Sequence, residues 1–199
     1  MKITPGPRGT ARLDLSTAER NLFVSVFSDT AGLLGGGEDD RQESDGLTEA
    51  EQLARLVGMG DAVDRPTDPA LLRLLPDVDP DDPERSAEFR RLTDFDLRES
   101  KLANLRTALH SLGASGRIVL DDAAQRAWLT ALTDVRLVVA SRLGLETDAD
   151  LDELYAREDE LPDSEAMLVT VYDFLTWAQE RLAGILLDSL IPTDEEDPT

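Results

Sequence analysis

Residues 83 to 112 contain no glycine, and their only proline is the first of them. Asp82 before Pro83 is an N-cap followed by proline at the first helical position, where the ring's fixed φ suits a helix and its missing N–H is not needed. Gly113 supplies the stop. A helix of this length extends about 45 Å at 1.5 Å per residue, so it must be the spine of a fold built by helix packing. The spacing predicts an apolar stripe of Phe89, Leu92, Phe95, Leu102, Leu105, Leu109 and Leu112.

Two further segments read the same way. Asp122 with Gln125 resembles a cap, and Ala123–Leu143 carries Trp128, Leu132, Val135, Val139 and Leu143 before Gly144. Asp163 caps Ser164–Leu190, with Leu168, Val171, Tyr172, Leu175, Ala178, Leu182 and Ile185 on one face. Ser16 and Glu19 stand at capping-box spacing and open a fourth helix to about Leu34. Short helices are expected over Thr48–Val57 and, behind the Asp68-Pro69 cap, over ALLRLL as far as Pro76. Ala11–Leu15 and Gly116–Leu120 alternate as short strands that would pair, and residues 1–10 read as a loose arm. The expected class is all-α in the main. It is a helical bundle of three to four long helices with short connecting helices and one two-stranded β ribbon. Residues 1–190 read as a single helical domain, with acidic flexible loops at 35–47 and 146–162 and a disordered tail at 191–199.

Charge enters through those loops. The chain has 42 acids against 20 bases, a net charge of −22. Four stretches, 38–51, 77–84, 146–165 and 194–197, hold 26 of the acids and two of the bases, leaving 16 acids and 18 bases elsewhere. The body is therefore near neutral. A field of this sign repels nucleic acid and anionic membranes. The acidic runs serve solubility or form a docking surface for a basic partner.

Much chemistry is excluded by residue type. There is no cysteine and only one histidine, His110, so disulfides, thiolate catalysis, Cys-based zinc sites and an imidazole cluster for a metal are out of reach, and His110, near a helix end, reads as a surface or helix-dipole residue. Asp77, Asp79, Asp81 and Glu88 stand at calcium-loop spacing, but Asp82 occupies the position that needs glycine. The pairs Asp94 with Asp96 and Asp121 with Asp122 read as helix-surface and helix-cap acids rather than an acid–base couple. No catalytic residue, metal site or cofactor is expected. No apolar leader or bilayer-length apolar run is present, and the expected location is the cytosol.

Arg85, Arg90, Arg91, Arg98, Lys101 and Arg106 on the long helix, with Lys2, Arg8 and Arg12 of the arm, are the candidate contacts for a partner or a DNA backbone. The competing reading is pairing along a solvated helix, such as Asp94 with Arg98. Asp134 and Arg136 interrupt an apolar helix and are candidates for a structural ion pair. Arg91 or Arg98 is the expected partner of an inward Asp134. Trp128, Tyr172 and Trp177 are core or interface aromatics.

Three strings, EFRRLTDFDLRESKLANL (88–105), AWLTALTDVRLVVASRLG (127–144) and VYDFLTWAQERL (171–182), together resemble an actinobacterial AosR-like family. These are transcriptional regulators of the oxidative-stress response, formerly a domain of unknown function. ARLDLSTAE and the LARLVG and DPALLRLLPD regions are similar to it too. The resemblance implies a cytosolic, non-enzymatic regulator or adaptor acting on RNA polymerase or a sigma factor by protein contacts. A homodimer through the last helix is a further expectation, and direct DNA binding through the Arg85–Arg106 helix and the basic arm is the alternative. The family's redox-sensing members are expected to use a Cys-x-x-x-Cys pair, and no such pair is present here to carry over.

Overall fold

The structure is a computed structural model and describes residues 1–35, 65–114, 116–157 and 160–190. The Thr48–Val57 helix, nearly all of the 35–47 loop and the 191–199 tail lie outside the described residues. The fold is mainly helical, as the spacing predicts, and the four long helices fall close to their expected bounds. In chain order they are α1 (Thr17–Leu33), α3 (Pro83–Leu112), α4 (Asp122–Arg142) and α6 (Asp163–Leu190), joined by the shorter α2 (Pro69–Leu74) and α5 (Asp148–Ala156).

Local chemistry accounts for the helix starts. The Ser16 hydroxyl accepts from the Glu19 N–H while the Glu19 carboxylate accepts from the Ser16 N–H, closing the capping box. Asp68 caps α2 and Asp82 caps α3, each followed by its proline. The cap of α4 is Asp121 rather than Asp122; its carboxylate accepts from the Ala124 N–H at 2.8 Å.

The N-terminal segment corrects the sequence reading. It is not a loose arm beside a two-stranded ribbon. Lys2–Pro5 forms β1, Ala11–Asp14 forms β2 and Ile118–Leu120 forms β3, in one antiparallel sheet of order β1-β2-β3. Ile3 stands opposite Leu13, and Leu13 opposite Ile118. All three are buried, so pairing the arm satisfies an exposed edge and places a third apolar side chain on the core. The turn at Pro7–Gly9 carries Arg8 at φ 54°, a left-handed conformation uncommon for a residue with a Cβ.

The region 146–162 is the second correction. Thr147 and Asp150 form a second capping box that starts α5, and Leu145 and Leu154 pack with Ala140 and Val169 in a small satellite core. Acidic composition hid a helix anchored by the buried Leu154 and the partly buried Leu151.

The main core lies between α1, α3, α4 and α6. Phe23 and Phe27 of α1 meet the edge of the buried Trp128 at 5.2 and 5.3 Å between ring centres, and Phe174 closes the cluster at 5.3 Å from Phe23. The Trp128 indole N–H donates to Ser111 at 2.8 Å. Trp177 does not join this core: it is 38% exposed and stacks on Phe174 at the rim.

Candidate interaction surface

Helix α3 divides into two unlike halves. From Leu102 onward it buries Leu102, Leu105 and Leu112, as expected, together with Ala108, while the expected Leu109 is partly buried. Before that, the buried positions are Ser86, Arg90 and Asp94, a polar stripe at i, i+4 spacing. Phe89, Leu92 and Phe95, expected on the inner face, are 43%, 57% and 61% exposed. Part of the reason is helical geometry. Each step of three residues falls about 60° short of a full turn, so Leu92 and Phe89 turn progressively away from the face that holds Leu102 and Leu109, whereas Phe95, seven residues before Leu102, stays within about 20° of it. The rest is competition for the inner side. Arg98 binds Asp94 at 2.5 Å and donates to the Leu34 carbonyl at the end of α1 at 3.1 Å. Arg90 reaches the Asp77 carboxylate, which Arg65 also holds at 2.8 Å. Ser86 exchanges hydrogen bonds with the Asp79 backbone.

This arrangement accounts for the six basic candidates one by one. Arg85 pairs with Asp79 at 3.2 Å, Arg90 with Asp77, Arg91 with Glu88 at 2.8 Å and Arg98 with Asp94. Lys101 pairs with Asp134 at 2.5 Å, and Arg106 approaches Glu99 at 3.7 Å. Each has an acid beside it, so the helix presents no uninterrupted row of cations. The calcium-like spacing dissolves in the same contacts: Asp77 and Asp79 face arginines, and Asp82 caps the helix. The Arg65 guanidinium, foremost, and Arg90 hold the Asp77 carboxyl below its ordinary value.

Asp134 points inward, at 2% exposure. Its partner is Lys101, not Arg91 or Arg98, and it does not pair with Arg136. Burial pushes its carboxyl above the ordinary value of 3.8, against the opposing pull of Lys101. Arg136 instead donates to Gln179 at 2.6 Å and to the Tyr172 hydroxyl at 3.2 Å, with its guanidinium 5.1 Å from the centre of the Tyr172 ring. Tyr172 is thus half-buried between α4 and α6 as the support of an arginine. Lys2 and Arg8 are exposed and Arg12 is half-buried.

A groove of about 440 Å³ runs between α1, α4 and α6. Its walls include Val26, Leu33, Val135, Val139, Leu168 and Val171, with Asp29 and Arg142 at its margins. Arg142 is engaged by Asp68, the cap of α2, at 2.7 Å. Such a lining offers apolar contact and no adjacent acid–base couple. Among the described residues there is no cluster of three or more histidine, aspartate or glutamate side chains placed to hold a metal ion, and no helix is long and apolar enough to cross a membrane.

Residues 2–186 match the family described as domain of unknown function DUF2017. The chain belongs to that family. Among its relatives, a Mycobacterium tuberculosis protein and a Mycobacterium bovis protein, both named oxidative stress regulator AosR, are each 30% identical to it over 201 aligned positions. The alignment covers 92% of this chain and 84% of each relative. No solved structure matches it.

For this DUF2017 member, the sequence placed the four long helices but not α5, and did not show what α3 turns outward. The signal that could have found it was present. Ser86, Arg90, Asp94 and Arg98 recur every four residues, which drifts about 40° per step around the helix, whereas Phe89, Leu92 and Phe95 recur every three and drift about 60° per step the other way.

Proposed function

We propose that this chain is a non-catalytic cytosolic regulator of the oxidative-stress response that acts by contact with RNA polymerase or a sigma factor. The observation that carries the reading is the relationship to regulators of that name over 84% of their length. The surface chemistry supports a protein partner over DNA. The basic residues of α3 each have an acid beside them, and a net charge of −22 opposes a phosphate backbone. Within these 199 residues there is no cysteine, so the chain does not read oxidants through a thiol of its own. It acts as an adaptor whose signal comes from elsewhere.

The test is affinity capture with the full chain from a native lysate under oxidant challenge, alongside a gel shift at graded salt. Co-purification of polymerase subunits or a sigma factor, with no shifted DNA, is expected. Absence of any transcription protein, or a DNA shift that fades steeply with salt through released counterions, would overturn the reading in favour of direct DNA binding through α3 and the N-terminal segment.

A further inference from the structure

Phe89, Leu92 and Phe95 lie along about 9 Å of α3, at a rise of 1.5 Å per residue, and fan over about 120° of its surface. They are large side chains, each 43% exposed or more, side by side on a rigid helix rather than scattered. Clustered exposed aromatic and aliphatic residues mark interaction sites more often than isolated ones. Their surroundings are charged with one predominant sign. Glu88 and Asp96 each stand one turn from Leu92, and Glu99 one turn from Phe95. Glu84 and the loop acids Asp79, Asp81 and Asp82 extend the rim toward the N-terminal end of the helix. Against these seven acids the same surface carries Arg85, paired with Asp79, Arg91, paired with Glu88, and Arg106, beside Glu99, while Arg98, one turn from Phe95, turns to Asp94.

We propose that the Phe89–Leu92–Phe95 ridge is the docking surface for a basic amphipathic helical segment of another protein. This rests on the reading of the chain as a regulator working by protein contacts, and it assigns that contact a place and a chemistry. The ridge supplies apolar area to a partner's apolar face, and the acids around it pair with lysines or arginines flanking that face. A second copy of this chain is the wrong occupant because it would bring the same acids against each other, at a net charge of −22 per copy. Nucleic acid and anionic lipid surfaces are repelled by the same rim.

The experiment uses the full chain in its native host with photoreactive p-benzoylphenylalanine in place of Leu92 or, as the control, of Val119, which is exposed on β3. Cross-linking from position 92 and not 119 is expected, to a protein segment rich in lysine or arginine. Affinity for the protein so identified is then measured for three forms: wild type, the Phe89→Ser/Leu92→Ser/Phe95→Ser variant, and Asp96→Lys. Circular dichroism and thermal melting confirm their folding.

The triple variant should bind at least roughly tenfold more weakly, the loss of a hot-spot cluster. Asp96→Lys should weaken binding and flatten its salt dependence, and it keeps the test alive if the triple variant fails to fold. Cross-links within the same chain, to a second copy, to nucleic acid or to an acidic segment would overturn the proposal. So would undiminished affinity of the triple variant for a captured partner, which would leave regulation by protein contact standing at another surface. Failure to capture any protein would remove both readings.

Discussion

The Lys101 ammonium lies 2.5 Å from the Asp134 carboxylate, tying the middle of α3 to the middle of α4. Asp134 is 2% exposed at its side chain and Lys101 15%. One Asp134 oxygen has no hydrogen-bond partner among the described residues. Removing one member of a buried pair strands the other, whereas replacing both with apolar side chains of similar size relieves the desolvation of both. Asp134→Ala should therefore destabilise by about 3 kcal/mol, the lower end of the usual range because the Lys101 chain can bend toward water. In a protein of this size that lowers Tm by roughly 6–12 °C. Lys101→Met with Asp134→Leu should recover most of the loss. Calorimetry of the two singles and the double checks this, and additive losses would contradict it.

The pH dependence of the same carboxyl follows from burial. Its folded pKa is raised above the ordinary 3.8, so the folded state takes up its proton more readily than the unfolded one. Its contribution to stability is fully present below 3.8 and lost as pH rises through the folded value. Asp77, Asp68 and Asp150 have the opposite sign. Chiefly Arg65, Arg142 and the Glu146 N–H, respectively, hold them below 3.8, and their stabilisation is lost as pH falls through their folded values. In denaturant titrations, the stability of wild type relative to Asp134→Asn should therefore shift in favour of wild type on acidification from neutral to about pH 4. A gap that widens against wild type on acidification would refute the assignment.

Arg90 and Arg85 are both arginines beside loop aspartates, yet they should behave differently. The Arg90 side chain is 8% exposed and the Arg85 side chain 68%. Arg90→Ala leaves the half-enclosed Asp77 to Arg65 alone and opens a gap beneath α3, for a loss of about 3 kcal/mol. Arg85→Ala should change stability by about 0.5 kcal/mol or less. Urea denaturation midpoints separate the two, and equal effects would mean that Arg90 is not the anchor of the polar stripe.

Two glycines provide a backbone test. Gly184 sits within α6 with no atom within 4 Å of where a Cβ would stand. Gly184→Ala should stabilise by about 0.5–1 kcal/mol through helix propensity. Gly144 ends α4 at φ +71° with equally open space around it. Gly144→Ala should cost about 1 kcal/mol from backbone strain alone. Paired thermal melts showing the same sign for both would refute this account.

Local chemistry was legible from the chain itself. Proline after aspartate, the Ser16–Glu19 box and the glycine stops depend on residues a few positions apart, so they place α1, α3, α4 and α6 without knowledge of the fold. The strand at Ala11–Asp14 and the core role of Trp128 were readable for the same reason. What only the tertiary structure decided was contact between distant segments. A periodic pattern states which residues share a side of a helix, not which side is turned inward when two stripes compete. Thus Arg90 and Asp94 went in while Phe89 and Phe95 went out. The choice of Lys101 for Asp134 and the recruitment of Lys2–Pro5 as a strand likewise depend on reach between elements across the folded chain, a distance that spacing along one helix does not contain.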